Sequence, residues 1–353
     1  MAKQTQTRQR KISFTNPQQK QFEKLLLELT SLPTAAGCEH AVFRYLYHWA
    51  AKRPWIAIKH DKWGNMLFRV KGQKQTRNRP PLFITSHLDH PAFVVQNVKD
   101  GGRLVRAAFR GGVHNTFFIE THVRWWPHAH EQSVQKLPRT PFNAKDSFSA
   151  LMDAKQGLRG KIIDLNTDQS KTSHGDKETT IQFARKNNIK AGDIITWDLP
   201  ASRIVRGKLH ARVCDDLAAT AASLAAFDRW YARNKKQLAT AANVQLLFTR
   251  SEEIGFIGAI GACQSGLIPK PSRIIALENS KSFVHDSPQG AGPIIRVGDR
   301  ISTFNHELNM RISEIAEQMT QKDQAFKYQR KLMPGGACEA TAYQCFGYQA
   351  TCL

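Results

Sequence analysis

Apolar positions along the chain recur at helical spacing first, then at strand spacing, and finally in alternating blocks of both kinds. From Pro17 to Ala51 they fall three and four residues apart, which predicts two helices. Strands are predicted at 55–59, 65–70 and 82–86. Beyond residue 207 the predicted helices are 216–234, 257–265, 305–320 and 336–346. The predicted strands between them are 244–248, 273–277, 325–330 and 348–353. This alternation predicts an α/β fold built on a layered sheet.

Residues 92–206 have a different pattern. Short β-like runs alternate there with Gly, Pro and polar turns, and helical periodicity is confined to residues 179–187. We therefore expect a small β-rich domain inserted into the α/β domain. Residues 1–91 and 207–353 are expected to form the two parts of the α/β domain, with a mobile tail at 1–16, and residues 92–206 are expected to form the insertion.

Composition indicates a soluble globular protein with a substantial core. The chain has 353 residues, of which 41% are hydrophobic. It has no apolar run of about 18 residues, so no membrane span is expected. The first residues are polar and basic, without the apolar stretch of a signal peptide, which favours a cytoplasmic protein. None of the six cysteines forms a Cys-x-x-Cys pair, which disfavours a zinc ribbon or a thioredoxin-like motif.

The net charge is strongly positive, at 51 − 29 = +22. Large positive charge raises the possibility of contacts with nucleic acid. The basic residues are scattered along the chain, however, and no base-reading or stacking motif accompanies them. We expect a solvated basic surface whose binding to nucleic acid is at most weak and non-specific.

Four polar motifs lie where predicted strands end or predicted helices begin. They are His87-Leu88-Asp89, Asp215-Asp216, Glu252-Glu253 and Glu278. Alone, each has an ordinary interpretation as a loop, a helix cap or a solvated pair. Together they matter, because the carboxyl ends of parallel strands line one crevice in which ligands bind. Carboxylates with one imidazole suit zinc, cobalt or manganese, and Asp215 would serve to bridge two cations.

These motifs, in this order and with Gly335-Gly336 after them, resemble those of the TET-type and glutamyl aminopeptidases. The resemblance covers about Phe22 to Leu353. It implies a layered α/β/α zinc-exopeptidase-like catalytic domain with an inserted small β-barrel-like domain, and two co-catalytic divalent metal ions. It further implies that His87 and Glu278 hold one metal, that Asp215 bridges and that Glu253 holds the second. Glu252 would be the general base, and Asp89 would orient His87.

The chain departs from the family pattern at several positions. Glu278 stands where aspartate is usual, His90 stands where the family has an acidic residue, and Ala337-Cys338-Glu339 replace a Thr-Asp pair. The family's last metal ligand, a histidine after the final strand, has no counterpart before Leu353. From this we expect one metal to be bound more firmly than the other, and the activity of the 353-residue form to be low.

The predicted function is a metal-dependent aminopeptidase acting on peptides, assembled as a homo-oligomer through the inserted domain as the resemblance implies. Two alternatives stay open. One is a catalytically incomplete scaffold that binds RNA or an acidic partner. The other is an acyl-amino-acid deacylase on the same scaffold.

Overall fold

A computed structural model describes residues 17–73, 80–127, 157–168 and 177–353; the predicted tail at 1–16 lies outside these ranges. The described part contains an eight-stranded sheet and a closed six-stranded barrel. The strands of the sheet are β1 (Ile56–His60), β2 (Met66–Val70), β3 (Leu82–His87), β12 (Val244–Thr249), β13 (Arg273–Ala276), β14 (Ile294–Gly298), β15 (Gln329–Leu332) and β16 (Gln349–Cys352). Those of the barrel are β4 (Ala92–Lys99), β5 (Leu104–Arg110), β6 (His122–Trp125), β7 (Leu158–Asn166), β8 (Lys177–Phe183) and β9 (Ile194–Trp197).

The sheet has the spatial order β1-β2-β12-β3-β13-β16-β14-β15. Its four central strands, β12, β3, β13 and β16, run parallel to one another. Parallel strands that are covered on both faces have nearly continuous apolar sequences, and every residue of β12 is buried. Because the four strands are parallel, their carboxyl ends lie along one edge of the sheet.

Helices cover both faces of the sheet. They are α1 (Pro17–Leu29), α2 (His40–Ala51), α3 (Leu217–Asn234), α4 (Ile257–Gln264), α5 (His306–Lys322) and α6 (Glu339–Cys345). Successive side chains of a strand point to opposite faces. Accordingly Leu246 and Phe248 of β12 pack with α1, α2 and α3, whereas Leu247 packs with α4 and α6. The predicted α/β/α layering is confirmed.

The barrel closes in the order β4-β5-β8-β7-β6-β9. All its strand pairs are antiparallel, and closure leaves no free edge. Aromatic rings fill its interior: the ring centres of Phe93 and Phe109 are 5.2 Å apart, and those of Phe109 and Phe118 are 4.9 Å apart. The predicted barrel-like insertion is present.

The prediction of helical structure at residues 179–187 is wrong. Residues 177–183 form strand β8, in which Thr179, Ile181 and Phe183 are buried and alternate with more exposed neighbours. That period of two is a strand signal, which the mixture of Thr, Gln and Lys obscures in the sequence.

A two-stranded ribbon, β10 (Arg203–Val205) and β11 (Lys208–His210), spans the proposed domain boundary at 206. The barrel strands themselves lie between Ala92 and Trp197. Where the inserted domain ends is therefore still a proposal. Within the described ranges, no helix is both long enough and apolar enough to cross a membrane.

Candidate metal centre and active site

The chemistry-bearing residues are brought to the carboxyl edge of the parallel strands. His87 is the last residue of β3 and pairs in register with Thr249, the last residue of β12. Glu278 lies two residues beyond the end of β13, and its backbone N–H donates to the carbonyl oxygen of Leu353, just after β16. Asp215 and Asp216 directly precede α3. The crevice expected at this edge of an open α/β sheet is thus where the motifs meet.

His87, Asp215 and Glu278 form the tightest group. The Nε2 atom of His87 lies 3.1 Å from Oδ1 of Asp215 and 3.8 Å from Oε2 of Glu278. One ligand atom from each of the three residues lies within 4.8 Å of the other two. His87 is buried, with 1% of its side chain exposed, and Glu278 is 10% exposed. Three protein ligands at this separation match the number usual for a catalytic zinc.

Asp89 lies close to His87 and also contacts the turn that carries Glu252 and Glu253. Its Oδ1 atom is 3.6 Å from Nδ1 of His87, which is longer than a hydrogen bond. Its two oxygens accept the backbone N–H groups of Glu252 and Glu253, each at 3.0 Å. The predicted role in orienting His87 is compatible with this position. The hydrogen bonds that Asp89 makes, however, hold the turn that carries the two glutamates, a role that the sequence did not indicate.

Glu252 and Glu253 open a short 3₁₀ turn after β12. Burial raises the pKa of Glu252 to about 9 and that of Glu253 to about 8; His87 opposes both shifts, and neighbouring carboxylates add to them. Neither glutamate belongs to the tight three-residue group found among the described residues. They lie beside it, close enough to interact electrostatically with His87.

Two further carboxylates, Asp216 and Glu339, interact with His87 at the same site, although the sequence analysis assigned neither a role. Asp216 is fully buried, and neither of its oxygens has a hydrogen-bond partner in the part of the chain that the structure describes. Glu339, in the first turn of α6, has one oxygen without a partner and accepts a 3.4 Å hydrogen bond from Tyr343 at the other. Burial raises the pKa of Glu339 to about 7. The available signals were the doubled aspartate and the replacement of a family Thr-Asp pair by Cys338-Glu339.

His90 also packs against the site. Its Nδ1 atom is 2.6 Å from the carbonyl oxygen of Asp215, and a carbonyl only accepts, so Nδ1 carries the proton. Burial lowers the pKa of His90, which keeps the imidazole neutral. His90 therefore supplies no positive charge to offset the surrounding carboxylates.

The residues present fit a divalent cation. Buried carboxylates without partners are costly unless a positive charge or a shared proton compensates them. Among the described residues, Asp216 has no partner at either oxygen and Glu339 has none at one of its oxygens. Burial first, and then the charges of neighbouring carboxylates with Asp215 foremost, raise the pKa values of Asp216 and Glu278 well above normal. One imidazole among several carboxylate oxygens suits zinc, cobalt or manganese.

A layered α/β/α sheet with imidazole and carboxylate groups at its carboxyl edge and a barrel between its two halves defines a class of metallopeptidase-like folds. The chain belongs to the M42 glutamyl aminopeptidase family, whose profile matches residues 64–353. The resemblance identified in the sequence is thereby confirmed. No curated protein matches the chain by direct sequence comparison.

Solved structures with this fold include several archaeal aminopeptidases. A TET aminopeptidase from a marine-sediment archaeon of the Thaumarchaeota is 18% identical, with a TM-score of 0.68; the match covers 95% of this chain and 88% of that one. The aminopeptidase APDkam598 of Desulfurococcus kamchatkensis is 20% identical, with a TM-score of 0.65, covering 95% and 86%. The TET1 peptidase of Pyrococcus horikoshii is 17% identical, with a TM-score of 0.66, covering 95% and 89%. At these identities the likeness establishes the fold alone.

Proposed function

We propose that the protein is a metal-dependent aminopeptidase that removes N-terminal residues from peptides. The observation that carries this proposal is the convergence of His87, Asp215 and Glu278 within 4.8 Å, with Glu252 and Glu253 beside them. Membership of the M42 glutamyl aminopeptidase family supports the reaction class.

The site would take two divalent cations, zinc first, with cobalt or manganese as alternatives. His87 and Glu278 would hold one, Glu253 would hold the second, and Asp215 would bridge them. When bound, such cations polarise the scissile carbonyl and make a bound water acidic. Two observations support a bridging role for Asp215: its carboxylate contacts His87, and its side chain is 39% exposed.

Glu252 is the proposed general base. Its carboxylate would accept a proton from the attacking water and pass it to the leaving amine, a role worth about 10²–10⁴-fold in rate. Burial raises the pKa of Glu252 to about 9, which makes its carboxylate a stronger base, and the positive charge of bound cations would lower that pKa so that the carboxylate is ionised when it accepts the proton. Asp89 would keep the carboxylate in place through the backbone N–H of Glu252.

The protein is also proposed to self-associate through the barrel. Phe117, Ile119 and Ile163 of this domain are 61%, 46% and 41% exposed. The N–H of Glu120 donates to the carbonyl of Ile162, so these apolar side chains belong to one region of the barrel. A solved structure of a similar chain is described as a dodecamer. A cytoplasmic location remains a prediction from the sequence.

The direct test compares substrates whose α-amino group is free with substrates whose α-amino group is acetylated. The full chain, loaded in turn with zinc, cobalt or manganese, is given aminoacyl p-nitroanilides and their N-acetylated counterparts. We expect release from the free amines only, and loss of release after chelation with EDTA. Release of acetate from N-acetyl amino acids, with no p-nitroaniline released from the free amines, would instead identify an acyl-amino-acid deacylase. No hydrolysis of any of these compounds would contradict the proposal.

A further inference from the structure

Three consecutive backbone N–H groups at the start of the Glu252–Glu253 turn donate to buried carboxylates. The N–H of Ser251 donates to Oε1 of Glu39 at 3.0 Å, and those of Glu252 and Glu253 donate to the two oxygens of Asp89. Glu39 and Asp89 are both fully buried. The turn is thus held from two separate parts of the chain, the loop before α2 and the loop after β3.

Every acceptor site of Glu39 that faces the turn is in use. Its Oε1 atom accepts the N–H of Gly37 at 2.8 Å in addition to the Ser251 N–H, and it lies 3.4 Å from the Ser251 hydroxyl. Its Oε2 atom pairs with the guanidinium of Arg250 at 2.8 Å. Arg250 in turn donates to the carbonyl oxygens of Gly37 at 3.0 Å and Trp63 at 3.3 Å. These partners offset the cost of burying the charge of the Glu39 carboxylate.

The turn needs such support because its backbone is strained. Ser251 has φ 53°, in the left-handed region that residues other than glycine rarely adopt because it strains the backbone. Phe256, at the other end of the turn, has φ 57°. Strained residues persist where surrounding contacts over-determine them, and Glu39 supplies the contact at Ser251.

We propose that Glu39 is a positioning residue for the active site. Through Arg250 and the N–H of Ser251 it fixes the turn that presents Glu252 and Glu253. This inference rests on the proposed function for its catalytic consequence. Glu39 touches none of the reacting groups, and it lies outside residues 64–353, the part of the chain that matches the family profile.

Replacing Glu39 by glutamine should release the turn. An amide has one acceptor oxygen and one donor NH₂ group. Whichever way it is oriented, the NH₂ group faces either the guanidinium of Arg250 or the N–H groups of Gly37 and Ser251. One of the two sets of hydrogen bonds is therefore lost, and the charge that balances Arg250 is lost with it.

The experiment compares Glu39→Gln with Glu28→Gln as the matched control. Glu28, on α1, accepts a hydrogen bond from the hydroxyl of Tyr45 at 2.6 Å and makes no contact with the turn. Hydrogen–deuterium exchange is followed in peptides covering residues 249–256, alongside kcat and KM for an aminoacyl substrate at saturating zinc. We expect Glu39→Gln to accelerate exchange in that segment and to lower kcat about 10²-fold with KM nearly unchanged. The control should change neither.

A second variant covers the case in which Glu39→Gln alone fails to fold. The double change Glu39→Gln with Arg250→Gln leaves no unpaired buried charge and should show the same fast exchange and low kcat. Wild-type exchange at 249–256 together with wild-type kcat in either folded variant would overturn the inference. An inactive wild type whose turn is still loosened by Glu39→Gln would contradict the proposed function and leave the positioning role standing.

Discussion

At the scale of single residues, the site is defined by an imbalance of charge. His87 stands among several carboxylates: burial lowers its pKa, but the hydrogen bond to Asp215 and the nearby carboxylate of Asp89 outweigh burial and raise that pKa well above normal. The sequence pointed to His87, Asp215, Glu253 and Glu278 because each follows a strand or opens a helix. It did not point to Glu339, because a carboxylate in the first turn of a helix usually faces solvent.

A pH dependence of stability follows from this imbalance. The pKa values of Glu252, Glu253 and Glu339 are raised from 4.5 to about 9, about 8 and about 7. The folded protein therefore keeps protons that the unfolded chain releases, and its stability falls as pH rises from about 4.5 to about 9. The raised pKa of His87 acts in the same direction above pH 6.5.

Thermal melts of the chelator-treated protein between pH 5 and pH 9 measure this effect. We expect the melting temperature to fall steadily with pH and to recover at pH 8 when zinc or manganese is added. Glu252→Gln should flatten the slope, whereas Glu314→Gln, at an exposed carboxylate on α5, should leave it unchanged. A melting temperature that rises between pH 6 and pH 9 in metal-free protein would contradict this account.

Removal of the imidazole tests the first cation site. His87→Ala deletes the nitrogen that lies nearest to both Asp215 and Glu278, so at most two ligands of the tight group remain. We expect calorimetric titration with zinc to show the loss of the tightest site. His306→Ala, at an exposed histidine on α5, serves as the control and should titrate like the wild type. Unchanged tight binding by His87→Ala would mean that the cation is held elsewhere.

At the scale of elements, the sequence located most of the α/β layers because their apolar periods are long and distinct. It failed where segments are short and their periods mixed. The sequence predicted helical structure where strand β8 lies, and it did not predict strand β14 (Ile294–Gly298). It also gave no indication of how the Glu252–Glu253 turn is held. The N–H bonds to Asp89 join residues 163 and 164 positions apart along the chain, and no local pattern encodes such contacts.

The turn supplies a prediction at this scale. In Asp89→Asn the amide oxygen can accept from only one of Glu252 and Glu253, and its NH₂ group opposes the other N–H. A buried donor left without a partner costs about 1–3 kcal/mol. We expect a lower melting temperature and a large fall in kcat. Wild-type kcat in Asp89→Asn would show that the turn does not depend on this carboxylate.

At the scale of the whole molecule, the exposed apolar residues of the barrel predict assembly. Sedimentation velocity should give a mass several times the 39.9 kDa of one chain. Phe117→Asp places a charge on a side chain that is 61% exposed on the barrel and should shift the protein toward smaller species. Met319→Asp, on α5 and 45% exposed, is the control and should not. A monomeric wild type would contradict the proposed self-association.

The large positive charge makes a separate prediction. With +22 distributed over the chain, binding to an RNA or DNA oligomer should be weak and should decrease steeply with added salt. Fluorescence anisotropy at several salt concentrations measures this. Tight, sequence-selective binding at physiological salt would instead favour a role as a binding protein.

The proposed role of Glu252, which is to move the proton at a metal-loaded peptidase site, can be examined by a paired measurement on Glu252→Gln. Turnover of an aminoacyl substrate and bound metal per chain are determined on the same samples, with Glu314→Gln as control. We expect turnover to fall by about 10²–10⁴-fold while metal content stays at the wild-type value. Loss of metal with full activity per remaining metal would contradict it, because Glu252 would then be a ligand and not the base.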